Sequence, residues 1–372
     1  MTMRVLHLAK FFPPFRGGME KITWELVTGL RQRGLAADVL CANTRFRSVR
    51  ETGPYGEAIV RAGSFGTLFS TPVAPALARE LLRLHRYYDI IDVHLPNPTA
   101  NLAMWLIRPR CKIVIHWHSD IVKQRILVKL YQPLQSWLME QAKAIVVTSE
   151  AYRQSSPYLS PYLIKTRVIP LGIQDSERLP STRLLALRER YRGRTIMFAL
   201  GRMTYYKGFD VLIEAAQKLT SDTIVLVGGG GMLLDTYRKE VQRRQLNDRI
   251  EFLGSLSDIE VQELFQGCDI FCLPSIERSE AFGVVLLEAM SACRPVVATR
   301  IPGSGVAWVN EDGITGFNVP PCDSDALAAA LQRLVSDRHL REKMGIAARE
   351  RYEALFRSER MVELTIKLYQ EV

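Results

Sequence analysis

Four charged side chains in the C-terminal half have types and spacing suited to a phosphorylated, hydroxyl-rich ligand. Arg202 and Lys207 lie in ALGRMTYYKGFD, just after an apolar run. A guanidinium fork and an ammonium point charge together suit a diphosphate. Glu280 and Glu288 stand eight positions apart in SEAFGVVLLEAMSAC. A carboxylate repels phosphate but accepts hydrogen bonds from sugar hydroxyls. Between them Gly283 begins a helix, and the N–H groups of Phe282, Gly283 and Val284 can face an anion. That division of labour fits a sugar nucleotide. Two carboxylates also suit a glycosidase acid and nucleophile, but a hydrolase has no need of the adjoining cation pair.

The N-terminal half offers further candidates. In FFPPFRGGME, Gly17 and Gly18 follow a strand and open a helix, a place where a backbone can approach an anion. In HWHSD, His116 and His118 alternate on a strand and share one face, with His118 at its end. Two histidines raise the question of a metal. No Cys or carboxylate cluster is legible beside them, so no metal is expected and no cofactor either. In IVLVGGGGML, glycines 228–231 lie between a strand and a helix. Leu233 breaks the GxGxxG pattern, so the loop, Gly229 included, reads as a place of close backbone approach to a nucleotide, not as a dinucleotide fingerprint. The DSD at 323–325 has the look of a metal-holding DxD but precedes ALAAALQRLV, and helix capping is the better reading.

The loops that carry these residues sit between alternating strand and helix patterns. Strands are expected at 4–9, 37–42, 90–94, 112–118 and 144–149. A second set follows at 195–200, 222–228, 250–254, 269–274 and 295–299, with helices at 208–220, 231–246, 257–267 and 283–292. Short Val/Ile-rich strands alternating with helices imply parallel α/β sheets, which bind ligands at the carboxyl ends of their strands. Two such sets predict two Rossmann-like domains, 1–175 and 194–350. The periodicity breaks near 170–193, at Pro170, Gly172 and Pro180, so a linker is expected over 176–193, and a C-terminal helix over 351–372 is expected to return to the first domain.

Composition agrees with two globular domains: 372 residues, 47% hydrophobic and 24% charged. The net charge of +10 is uneven: residues 1–180 hold 24 Lys+Arg and 13 Asp+Glu, residues 181–372 hold 25 and 26. The basic excess therefore belongs to the first half. It suits an anionic membrane surface or a phosphorylated substrate, and equally a plainly soluble surface. Arg45, Arg47 and Arg50 in one loop, and Lys123, Arg125 and Lys129 after HWHSD, are candidate contacts. No nucleic-acid motif is present. The six cysteines form no CxxC pair and read as reduced thiols, and no apolar stretch suits a signal peptide or a membrane span. The expectation is a cytoplasmic protein, peripheral at the cytoplasmic face of the inner membrane.

Taken in order, GRMTYYKGFDVLIEA, EFLGSLSDIEVQELFQGCDIFCLPS, EAFGVVLLEAMSACRPVVAT and DGITGFNVPPCDSDALAAAL resemble successive blocks of the GT-B glycosyltransferases, specifically the retaining family four, and the likeness covers nearly the whole chain. The resemblance implies two Rossmann-like domains facing each other across a cleft. It implies that Arg202 and Lys207 neutralise the departing diphosphate, Glu288 holds the ribose, and Glu280 holds the transferred sugar beside the 282–284 N–H groups. His118 would contact the sugar, and Gly17 and Gly18 the phosphates. It implies retention by front-face attack, without metal. VHLPNPTAN, HWHSDIV and GSGVAWVNEDG look most like bacterial mannosyltransferases of surface polysaccharide assembly. That implies GDP-mannose as donor and a lipid diphosphate-linked glycan as acceptor. A UDP-sugar donor, a sugar-nucleotide epimerase of the same fold and a non-catalytic scaffold are the alternatives.

Overall fold

Apolar residues fill the short strands of this chain because both faces of each sheet are covered by helices. A computed structural model describes residues 3–15, 17–68, 71–121 and 125–372, with the side chains of 125–128 and 130 outside the description. Lys123 lies outside the described residues, as does the Arg125 side chain. Two compact units emerge, residues 1–174 with 357–372, and residues 175–356.

In the first unit the strands are β1 (Arg4–Leu8), β2 (Ala36–Ala42), β3 (Val49–Thr52), β4 (Ala58–Ala62), β5 (Thr67–Leu68), β6 (Thr71–Pro72), β7 (Ile90–Leu95), β8 (Lys112–Trp117), β9 (Ala144–Val147) and β10 (Thr166–Val168). Eight form one sheet in the order β10-β9-β8-β7-β1-β2-β4-β3, parallel except for the β3–β4 pair, while β5 and β6 form a separate hairpin. The β1 residues Val5, Leu6 and Leu8 are fully buried. So is His7 between them, as are Asp92 and His94 in β7. Registration sets His7 beside Asp92 and His94 beside His116, so one face of the central strands carries a polar stripe. The helix Gly18–Gln32 and the C-terminal helix Ser358–Glu371 pack against each other in this unit, and Arg33 pairs with Glu363 at 2.9 Å.

The second unit contains β11 (Thr195–Leu200), β12 (Thr223–Gly228), β13 (Ile250–Gly254), β14 (Ile270–Leu273), β15 (Val296–Thr299) and β16 (Gly316–Val319). All are parallel, in the order β13-β12-β11-β14-β15-β16. Renumbered from its own first strand, this is the 3-2-1-4-5-6 order of the dinucleotide-binding fold, with the topological switch between β11 and β14. Helices form at Phe209–Ala216, Leu234–Arg243, Asp258–Gly267 and Val284–Ser291. The stretch read as a linker holds a ten-residue helix, Ser181–Arg190, which buries Leu187 against the helix Asp258–Gly267. The C-terminal helical pattern is broken at Phe356–Arg357. Its first part, Arg338–Leu355, belongs to the second unit and only Ser358–Glu371 to the first. Asp323 caps its helix by accepting from Ala326 N at 2.8 Å, the role read from the DSD.

Candidate donor and sugar sites

In the second unit the loops leaving β11 and β14 meet at the switch point. Gly208 lets them touch. Its φ of 65° is left-handed, and a Cβ there would lie 2.1 Å from the Pro274 carbonyl oxygen. Ile276 N donates to Tyr206 O at 2.8 Å, and the Tyr205 hydroxyl donates to Glu277. This juncture brings Lys207 from one loop to Glu280 from the other. Lys207 Nζ lies 2.5 Å from Glu280 Oε2, with the side chains only 11% and 12% exposed. The Ser275 hydroxyl donates to the same oxygen at 3.1 Å. Burial works against the Lys207 charge, but Glu280 and Tyr206 outweigh it and the pKa is raised. The sequence assigns the two residues to different parts of a ligand; in this structure they hold each other.

The rest of the predicted set surrounds this pair. Arg202 is exposed on the loop after β11. The helix Val284–Ser291 begins after Gly283, no side chain caps it, and in its first turn Leu286 N donates to Gly283 O at 2.8 Å. Phe282 is buried, Val284 and Glu288 are half-buried, and Glu288 lies in the second turn. The Ser304 hydroxyl donates to the Glu280 carbonyl and Gly305 N to the Ala281 carbonyl, which fixes the turn ahead of the helix.

The glycines at 228–231 work differently from the sequence reading. At Gly229, φ is 118° and a Cβ would lie 2.0 Å from the Gly201 carbonyl oxygen. Met203 N donates to Gly230 O at 2.9 Å and Gly201 N to Gly228 O at 3.1 Å. The close approach made possible is therefore to the neighbouring loop that carries Arg202.

In the first unit Gly17 and Gly18 are exposed at the start of the helix Gly18–Gln32, with no side-chain cap. His118 follows β8 directly, and its N donates to Leu95 O at 2.9 Å. It ends a chain of imidazoles. His118 Nε2 is 2.9 Å from His94 Nδ1, and His94 Nε2 is 3.1 Å from His7 Nδ1. Asp92 lies alongside, 2.8 Å from His116 Nδ1, and accepts from the Tyr369 hydroxyl of the C-terminal helix. Burial holds His7 at about 4 and His118 at about 3, and pushes His94 well down, so all three are neutral. Burial would raise the Asp92 pKa, but His116, His94 and His7 outweigh it and keep it anionic. Burial and Asp92 together raise Tyr369 far above its usual value.

Neutrality makes the proton positions deducible. The Thr23 hydroxyl donates to Met19 O at 2.9 Å, so at 3.2 Å from His94 Nδ1 it accepts, and that nitrogen carries the proton. His94 Nε2 then accepts from His7 Nδ1–H, which also faces Asp92 Oδ2 at 3.9 Å. The buried His7 Nε2, with no partner, is left as a bare lone pair; a buried orphan donor would be the rarer arrangement. The single His94 Nδ1–H is shared between Thr23 Oγ1 at 3.2 Å and His118 Nε2 at 2.9 Å, which leaves the His118 proton on Nδ1. His118 is thus a fixed donor at the strand end, matched to a hydroxyl oxygen.

His7, Asp92 and His94 are also the one group among the described residues whose ligand atoms, within 4.8 Å of one another, could hold a metal. Within the cluster His7 Nδ1 bonds His94 and Asp92 bonds His116 and Tyr369, while His7 Nε2 has no partner. His7, Thr23, Asp92, His94 and Tyr369 were not singled out from sequence. The available signal was a histidine or aspartate inside the otherwise apolar RVLHLA and IIDVH runs.

The two parallel units define the GT-B fold. A sucrose-phosphate synthase from Thermosynechococcus elongatus superposes with a TM-score of 0.83 at 21% identity, over 99% of this chain and 98% of that one. Residues 187–351 match the Glycosyl transferases group 1 family and residues 16–177 match Glycosyltransferase Family 4. The chain is 35% identical over 371 residues to the O-antigen chain mannosyltransferase C of Escherichia coli, covering 99% of this chain and 98% of the relative. It is 33% identical over 358 residues to the D-rhamnosyltransferase WbpZ of Pseudomonas aeruginosa, covering 95% and 92%. The chain belongs to the group 1, family four glycosyltransferases.

Proposed function

We propose that this glycosyltransferase moves a hexose, mannose from GDP-mannose, to a lipid diphosphate-linked glycan in O-antigen or other surface polysaccharide synthesis. The observation that carries the donor half is the Lys207–Glu280 pair at the β11/β14 switch, beside Arg202 and an uncapped helix start. An incoming diphosphate takes over Lys207 and the N–H groups ahead of the helix start, and Glu280, released from the lysine, turns to the hydroxyls of the sugar. Arg202 and Lys207 then stabilise the charge that grows on the leaving diphosphate. Glu288 holds the ribose, Gly17 and Gly18 lie against phosphate, and the Nδ1–H of His118 meets a sugar hydroxyl. In a retaining reaction the bond from the anomeric carbon to the diphosphate oxygen breaks. The acceptor oxygen bonds to that carbon on the same face, and its proton passes to the departing phosphate oxygen. No metal is needed where two cations already face the diphosphate.

The mannose assignment is supported by the Escherichia coli relative, an O-antigen chain mannosyltransferase, and the basic first half suits an anionic, lipid-linked acceptor at the cytoplasmic membrane face. The second relative makes rhamnose the sugar to test beside mannose. The experiment is a panel of GDP- and UDP-sugars with a short lipid-linked acceptor, with and without a chelator. Transfer from GDP-mannose alone, with α-linked product and no chelator effect, is expected. An inert GDP-mannose beside an active UDP-sugar refutes the donor.

A further inference from the structure

The first unit carries two adjoining cavities that no step above uses. One, of about 560 Å³, is walled by the β5–β6 hairpin and by the helices Ala76–Leu84 and Pro98–Ile107, with Leu68, Pro72, Val73, Leu102 and Leu106 among its lining. The other, of about 630 Å³, is lined by Arg47, Ser48 and Arg79. Phe65 and Pro75 line both, so the apolar and cationic cavities share a wall. Phe65 is 68% exposed and packs edge-on against Phe46, which is 67% exposed, at 4.9 Å between ring centres. Exposed aromatics and leucines around an open apolar hollow mark a binding surface in a soluble domain.

The charge beside the hollow is not balanced. Buried Glu80 is shared by Arg50, Arg79 and Arg83, at 2.8, 3.5 and 3.2 Å. One carboxylate against three guanidinium groups leaves an excess of two positive charges, and among the described residues Arg47 has no carboxylate partner. An apolar chain without charge would leave these arginines unused, and a free phosphate would leave the hollow empty. An amphiphile with an anionic head uses both.

The geometry points to a binding site for a single lipid phosphate, its hydrocarbon chain in the hollow walled by Leu102 and Leu106 and its phosphate or diphosphate against Arg47 and Arg79. The loop leaving His118 contributes Ile121 to the apolar wall, which joins this site to the strand end assigned to the sugar. The site deepens the lipid-linked acceptor reading by stating where the lipid is held.

Binding is tested on the full chain without donor or transfer, so that its failure is separate from failure of the acceptor reading. Farnesyl diphosphate is titrated by calorimetry, with inorganic diphosphate and farnesol as single-feature controls. Affinity for farnesyl diphosphate is expected to exceed that for either control by about tenfold or more. Ala78→Trp, which fills the hollow, and Arg79→Glu, which inverts the cationic wall, are each expected to weaken it by about tenfold, with unchanged circular dichroism. Ala78→Ser is the control that keeps the hollow open and is expected to bind as wild type. Equal binding of diphosphate and farnesyl diphosphate, or insensitivity to both substitutions, overturns the proposal. Binding to anionic vesicles with none to monomeric farnesyl diphosphate overturns it in favour of docking on a bilayer. Tight binding together with no transfer to a lipid-linked acceptor keeps the site and refutes the acceptor reading.

Discussion

Removing one member of the Lys207–Glu280 pair should destabilise the second unit, and removing both should not. The pair is 2.5 Å apart with side chains 11% and 12% exposed, so either partner left alone is a nearly buried charge. Breaking such a pair from one side costs about 3–5 kcal/mol; residual exposure favours the lower end, about 3 kcal/mol. For a unit spanning residues 175–356, that lowers the melting temperature by roughly 6–12 °C. Among the described residues, Lys207→Met leaves the Glu280 carboxylate with the Ser275 hydroxyl, and Glu280→Gln leaves Lys207 against the Tyr206 ring at 5.7 Å. The double variant, with two neutral side chains of similar volume, should recover most of the loss. Activity should fall in all three, because the diphosphate still needs the ammonium. The assay is a calorimetric double-mutant cycle run beside turnover. Single variants that melt within a degree of wild type, or a double variant as unstable as the two losses summed, would refute the ion-pair reasoning. A double variant that is both stable and active would refute the role in transfer.

Three further outcomes are expected. Thr23→Val removes the acceptor that fixes the proton on His94 Nδ1; the loss of about 1 kcal/mol should lower turnover roughly fivefold. Thr23→Ser should restore it, and equal rates in all three proteins would contradict the tautomer assignment. Gly229→Ala drives a Cβ to 2.0 Å from the Gly201 carbonyl at a φ of 118°. Displacing the Arg202 loop should reduce kcat/KM for donor by roughly tenfold at 1–3 kcal/mol of strain, and an unchanged donor titration would count against it. His7 stays neutral in the fold down to about pH 4, chiefly through burial, whereas the unfolded chain takes up that proton near 6.5. The unfolded state therefore binds the extra proton between these values. Stability is full above 6.5 and declines on acidification, by about 3 kcal/mol at pH 4 from this residue. Urea midpoints that are flat from pH 7 to 5, or a slope unaltered by His7→Leu, would exclude it.

Sequence periodicity carried the architecture because parallel strands buried on both faces are unusually plain to read, as at 195–200 and 222–228. The cation and carboxylate pairs were legible for a related reason: Arg202, Lys207 and Glu280 follow strands, where ligands bind. What periodicity does not show is which loops meet. Lys207 and Glu280 are 73 positions apart, and only the β11–β14 pairing joins them. The histidine stripe was obscure for the same cause, since His7, Asp92 and His116 come from three strands aligned by register. The glycines at 228–231 were visible as a site of close approach, but the partner, another loop of the protein, depends on tertiary packing. The helix Ser181–Arg190 was overlooked because Pro180 was read as a break, whereas proline at a helix start fits its first turn.

The hydrogen bond from Tyr369 to Asp92 spans 277 positions, and the whole second unit lies between the two residues. During synthesis, residues 175–356 emerge as one contiguous piece able to fold when complete. The first unit emerges earlier yet lacks residues 357–372, and with them the donor to its central carboxylate. Domains usually mature in the order in which they are made. Here the order is inverted: the segment translated first is completed last, and its sheet must wait with Asp92 unsealed while its successor folds. Such a waiting state exposes the groove into which Ser358–Glu371 later docks, and makes that helix the latch of the chain's assembly.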